Sequence, residues 1–144
     1  MNKHLFMPIL LLALLQFSVA AQKSKAKSIR TVMNQSSPPS LQYGIASFYD
    51  NKFEGRKMAN GDLFSQKKLT AASNTLPLNS WVKVTNLSNK RSVVVLITDR
   101  MHHNNKRLID LSRSAASKLA YIGKGLTRVK VENLGRVRPA TARL

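Results

Sequence analysis

Six carboxylates carry all the acid chemistry open to this 144-residue chain: Asp50, Glu54, Asp62, Asp99, Asp110 and Glu132. There is no cysteine to serve as nucleophile or metal ligand, and the three histidines are His4, His102 and His103. Proton transfer by a carboxyl is one chemistry that these residues could carry. Asp99 leads the candidates. It follows Ser-Val-Val-Val-Leu-Ile-Thr (92–98), so it sits where an apolar strand meets the surface and where partial burial favours the protonated form that a general acid needs. Its structural alternatives are an ion pair with Arg100 or a turn cap. Asp110, in Leu-Ile-Asp-Leu-Ser, reads as structural, bonded to backbone or to a helix N-terminus. Asp62 follows Asn60-Gly61, which is a turn context. Adjacent residues of an extended segment point to opposite sides, so His102 and His103 read as an exposed polar loop. A metal site is not expected, because there are only three histidines and His4 falls in the N-terminal segment expected to be cleaved.

Strands must position these groups. Trp-Val-Lys-Val-Thr-Asn (81–86) and Leu-Thr-Arg-Val-Lys-Val-Glu-Asn (126–133) alternate apolar with polar residues, as half-buried strands do, and 42–49 reads as another strand. The β-branched run 92–98 suits a strand buried on both faces. Ser88-Asn89-Lys90 makes a hairpin turn between 81–86 and 92–98. One helix is expected, from an N-cap at Ser112 through Ala115, Ala116, Leu119 and Ala120 to a stop at Gly123. Together these predict a small β-barrel with one short helix.

Composition sets the boundaries and the class of partner. Lys3, an apolar run from Leu5 to Leu15 and the small residues Ser18, Val19, Ala20 and Ala21 have the layout of a cleavable export signal, assigned to residues 1–21. That run is shorter than the roughly 20 residues that span a bilayer, so no stable membrane insertion is expected. The lack of cysteine excludes a lipid-modified one. Residues 22–40, basic and holding Ser-Ser-Pro-Pro-Ser, read as a disordered linker, and 136–144 as a frayed tail. The domain, 41–135, must be stabilised by its core because no disulfide can form. It carries sixteen Lys and Arg against six acids, which predicts an anionic partner. Export argues against nucleic acid and for polymers of the cell envelope.

Four stretches, GIASFYDNKFEGRKMANGDLF (44–64), LTAASNTLPLNSWVKVTNL (69–87), RSVVVLITDR (91–100) and RLIDLSRSAASKLAYIGKGLTRVKV (107–131), resemble the successive blocks of the rare lipoprotein A family. The resemblance implies an all-β fold, a six-stranded double-psi β-barrel with one short helix, as in expansins and some small cellulases. It implies a septal-ring-type lytic transglycosylase that cuts peptidoglycan glycan strands between MurNAc and GlcNAc, here expected to lack the C-terminal SPOR repeat. Such cleavage needs a carboxylic acid for the leaving oxygen and uses the sugar's own 6-hydroxyl as nucleophile, with no metal or organic cofactor. By resemblance Asp99 is the catalytic acid. Asp62 stands where family members carry Glu, one methylene shorter, and is assigned to support it. Ser73 replaces the His of Thr-Ala-Ala-His and is taken as a substrate contact, as are Arg56 and Arg100. The Gly-Pro-Phe that normally follows Asp-Arg is Met101-His102-His103 here. The implied protein is a monomer of the periplasm or envelope, acting on glycan strands. Ser73 and the 101–103 loop keep open a non-catalytic, expansin-like binding module, and beyond that a structural envelope protein.

Overall fold

Alternating side chains build the wall of the domain. In Trp81–Asn86 (β3), Val82, Val84 and Asn86 are buried while Lys83 faces solvent, the two-residue period of a strand with one face on a core. The computed structural model describes residues 40–142, and five further strands join β3: β1 (Leu41–Phe48), β2 (Thr70–Ala72), β4 (Ser92–Asp99), β5 (Ile109–Leu111) and β6 (Thr127–Gly135). They close in the order β1-β5-β2-β4-β3-β6. The pairs β1·β5 and β2·β4 are parallel, and every other neighbouring pair is antiparallel. A barrel with one short helix is as the sequence predicts, though the helix ends early, and β2 and β5, three residues each, are too short to show a period.

Inside lie Val82, Val84, Val95, Ile97, Ile109, Leu111, Val129 and Val131, all 0% exposed. Burying each stabilises the fold by about 1.5–3 kcal/mol relative to leaving it in water. The run at 92–98, expected to be buried on both faces, is not: Val93, Val95 and Ile97 are buried, but Val94 and Leu96 are half-exposed. A barrel strand has only one interior face. Gly44 lets β1 pass the segment before β5, since a Cβ there would lie 2.6 Å from Leu108 Cβ.

Helix α1 (Arg113–Lys118) begins as expected, with Ser112 Oγ accepting from the Ala115 amide at 3.3 Å. It ends earlier, at Lys118, and Ala120 takes a left-handed φ of 55°. Leu119 and Tyr121 are both buried, and residues two apart cannot share one helical face, so the helix must break between them. Gly123 instead lies within a 3₁₀ turn, Ile122–Lys124. The hairpin at 88–90 forms, with Lys90 at φ 64° and its amide on Asn86 O at 2.8 Å.

The expected frayed tail folds back through residue 142. Arg138 stacks over the Trp81 ring at 5.6 Å and donates to Ala142 O at 2.7 and 3.2 Å. The export signal and nearly all of the linker lie outside the described residues. Among the described residues, no helix is long and apolar enough to cross a membrane.

Candidate active site

Strand register places four residues side by side. Asp99 pairs with Ala72, Ala72 with Asp110 and Asp110 with Ser47, a row across β4, β2, β5 and β1. Directly paired residues share a face of the sheet, so Asp99 and Asp110 lie on one face, two strands apart.

Asp99 is half-buried at the end of β4, and both of its oxygens are held. Oδ1 accepts the amides of Ala59 and Arg100 at 2.9 and 2.8 Å, and Oδ2 accepts the Tyr49 hydroxyl at 2.8 Å. Tyr49 follows β1 and is wedged between Phe53 and Phe64, with ring centroids 5.5 and 4.4 Å away. Burial, then the bond to Asp99, pushes its phenol well above the usual range. The hydroxyl therefore remains a donor. Tyr49 was not singled out in the sequence, although it stands inside the first family-like block. Its signal is an aromatic at the end of a strand, which core packing alone would also explain.

A backbone loop delivers the Ala59 amide. Residues 55–64 double back on themselves through Gly55 N to Phe64 O, Phe64 N to Arg56 O and Met58 N to Asp62 O, at 2.8–2.9 Å. Gly61, at φ 96°, makes the turn. The tip docks on β4 through the Asn60 amide on Thr98 O at 3.0 Å. Asn60 Nδ2 also holds Asp62 Oδ2 at 2.9 Å. One short loop thus grips both Asp99 and Asp62, and Asp62 is exposed. Arg56, exposed on the same loop, lies over the Phe53 ring at 5.3 Å.

Other assigned residues are bound up in the framework. Ser73 is fully buried; its hydroxyl donates to Leu108 O at 2.9 Å and its amide to Asp99 O at 3.2 Å. It presents no side-chain atom to a ligand. Arg100 does not pair with Asp99: its Nη1 donates to the carbonyls of Ser73 and Leu76, clamping the β2–β3 connection. Asp110 is structural, but not through backbone or helix. It accepts from Ser47 Oγ and from Arg107, at 3.0 Å from Nε and 3.2 Å from Nη2. His102 and His103 do not point apart; their ring centroids lie 4.2 Å from each other, tilted by 32°, on an exposed turn, where Asn105 N bonds to His102 O and bends the chain. Asn74 tethers this loop through Met101 N at 2.9 Å and His102 O at 3.3 Å. Two open hollows of about 560 and 460 Å³ lie elsewhere, and neither is lined by an acid.

Residues 41–131 match the family model described as lytic transglycolase, a double-psi β-barrel domain. The endolytic peptidoglycan transglycosylase RlpA of Haemophilus influenzae is 44% identical over 110 residues, 76% of this chain and 38% of that protein. RlpA of Pseudomonas aeruginosa is 50% identical over 91 residues, 63% of this chain and 27% of that one. This chain thus spans well under half the length of either relative. In structure it is similar to an expansin of Clavibacter michiganensis, with a TM-score of 0.55 at 17% identity over 69% of this chain and 53% of that one, a likeness of fold. With its closed six-stranded barrel and this match over the whole of β1 to β5 and most of β6, the chain belongs to the lytic transglycolase family of double-psi β-barrel domains.

Proposed function

We propose that this domain cleaves the glycan strand of peptidoglycan between MurNAc and GlcNAc as an endolytic lytic transglycosylase, with Asp99 as acid and then base. The carrying observation is the hydrogen bonding of Asp99. Each carboxylate oxygen has two lone-pair sites. Two amides fill those of Oδ1, whereas Tyr49 fills one on Oδ2. The proton that Asp99 delivers therefore rides on Oδ2, at its one open site. It passes to the bridging O4 as the bond from MurNAc C1 breaks. The 6-hydroxyl of the same sugar then attacks C1, and its proton returns to Oδ2. One strand ends in 1,6-anhydro-MurNAc and the other in GlcNAc with a free 4-hydroxyl; no water is consumed.

Asp62 supplies negative charge toward the oxocarbenium-like transition state, and Arg56 draws in the anionic wall. Arg100 acts through its clamp, and Ser73 by holding Leu108 and the Asp99 carbonyl. The substrate and the sequence-assigned signal agree with work in the periplasm or envelope after export, and the domain is read as a monomer.

A second reading, a non-catalytic expansin-like module, is favoured by one observation. Where the family pattern has His, Ser73 is fully buried and has no ionisable group. Incubating the purified protein with intact and peptide-stripped peptidoglycan, followed by mass spectrometry of the soluble products, decides between them. Anhydro-sugar ends support catalysis; binding without such ends supports the module.

A further inference from the structure

Resting on the glycan-strand reading, we propose that the outer face of β1 is an accessory binding stripe. It holds the same polymer strand beyond Asp99, with Tyr43 as a stacking platform and Arg128 as its anion contact. Leu41, Tyr43 and Ile45 are alternate residues of β1, 49%, 64% and 37% exposed. Three successive outward positions of one strand are thus apolar in a domain otherwise rich in charge, and contiguous exposed apolar surface marks an interaction site. Across the antiparallel ladder, Tyr43 faces Lys130 and Ile45 faces Arg128. Lys130 is paired with Glu132 at 3.4 Å. Among the described residues no carboxylate pairs with Arg128.

Tyr43, Ile45, Leu87 and Arg128 line a hollow of about 460 Å³. A phenol ring offers an apolar face to the C–H face of a sugar while its hydroxyl stays in water, and the guanidinium suits carboxylates carried along the strand. Such a set fits an anionic polysaccharide better than an acyl chain, which would leave the cation unused. The stripe lies on the same wall as the candidate site. Ser47, Ile45 and Tyr43 share a face of β1, and Ser47, buried like Ala72, ends the row that starts at Asp99. Three inter-strand steps and four residues along β1 separate Asp99 from Tyr43, on the order of 20 Å across the curved wall. An extended glycan strand reaches both places; a short fragment reaches one.

The test compares wild type, Tyr43→Ala, Tyr43→Phe and Arg128→Gln of the full chain, with Val137→Ala, exposed and beyond the end of β6, as a control. Co-sedimentation with peptide-stripped glycan strands, and kcat/KM on long strands relative to short fragments, are measured together with melting temperature. Tyr43→Ala is expected to weaken co-sedimentation about tenfold and to lower the long-to-short kcat/KM ratio about tenfold. Tyr43→Phe should restore both, and Val137→Ala should match wild type. Unaltered co-sedimentation by Tyr43→Ala at an unaltered melting temperature would overturn the proposal. So would a loss that tracks dissociation of a dimer, or a loss confined to binding of anionic lipid vesicles. If wild type releases no anhydro ends, the catalytic reading fails by itself, and co-sedimentation still decides the stripe.

Discussion

The Tyr49 hydroxyl donates a 2.8 Å hydrogen bond to Asp99 Oδ2, tying the end of β1 to the end of β4 across 50 residues of sequence. Two aromatic neighbours fix the ring, so the bond has little freedom to swing. Tyr49 thereby occupies one lone-pair site of Oδ2, and among the described residues no partner takes the other.

Tyr49→Phe keeps the ring and removes that bond. Turnover of peptidoglycan should fall about tenfold through kcat, with KM little changed, because a positioning contact is lost and no substrate contact is. Steady-state kinetics on solubilised strands checks this. A rise in KM at constant kcat would instead make Tyr49 a substrate-binding residue.

Alkaline stability should report the Tyr49 phenol together with that of the buried Tyr121. Burial raises the titration of Tyr49, aided by Asp99, and of Tyr121, aided by the Asp110 charge. The unfolded chain releases these protons near pH 10 while the folded chain retains them. Their contribution is therefore fully present below about pH 10 and is lost as pH rises beyond it. Denaturant titrations from pH 8 to 11 should show wild type weakening more steeply above pH 10 than the Tyr49→Phe, Tyr121→Phe double variant.

The barrel was legible where strands are long enough to show a period, as in 81–86 and 126–133. β2 and β5 are each three residues long, and their pairing depends on residues far away in sequence. The place of Asp99, half-buried at the end of β4, was legible because an apolar strand ends on it. Its partners were not: Ala59 contributes only its amide, and every residue has one. Ser73 reads as a substrate contact by family position and Arg100 by its charge, and neither reveals that Ser73 is buried and that the Arg100 guanidinium bonds to the Ser73 and Leu76 carbonyls. Residues 136–142 look formless by composition; the stacking of Arg138 on Trp81 orders them.

Burial of Ser73 gives a third expectation. Ser73→His would restore the family pattern but must fit an imidazole into a site with no exposed surface. Overpacking of this kind costs about 1–3 kcal/mol. Chemical denaturation should show that loss, whereas Asp62→Glu at an exposed position should leave stability within about 0.5 kcal/mol.

The two assigned arginines should separate by measurement. Arg56→Gln should weaken peptidoglycan binding at low salt and leave the melting temperature near wild type. The difference from wild type should shrink as salt rises, since exposed charges are screened within about 8 Å at physiological ionic strength. Arg100→Gln loses the bonds to the Ser73 and Leu76 carbonyls and should lower the melting temperature by about 4–8 °C. Equal effects of both variants on binding and on melting would contradict the division of roles.

Asp99→Asn is the most direct measurement of the central claim. The amide oxygen can accept the Ala59 and Arg100 amides where Oδ1 does, and the NH₂ can donate to the Tyr49 oxygen where Oδ2 accepts, so the fold should hold. No transferable proton remains. Mass spectrometry of digests should show release of anhydro-muropeptides lowered about 10²-fold or more, with peptidoglycan co-sedimentation and melting temperature close to wild type. Undiminished release by Asp99→Asn would contradict the account.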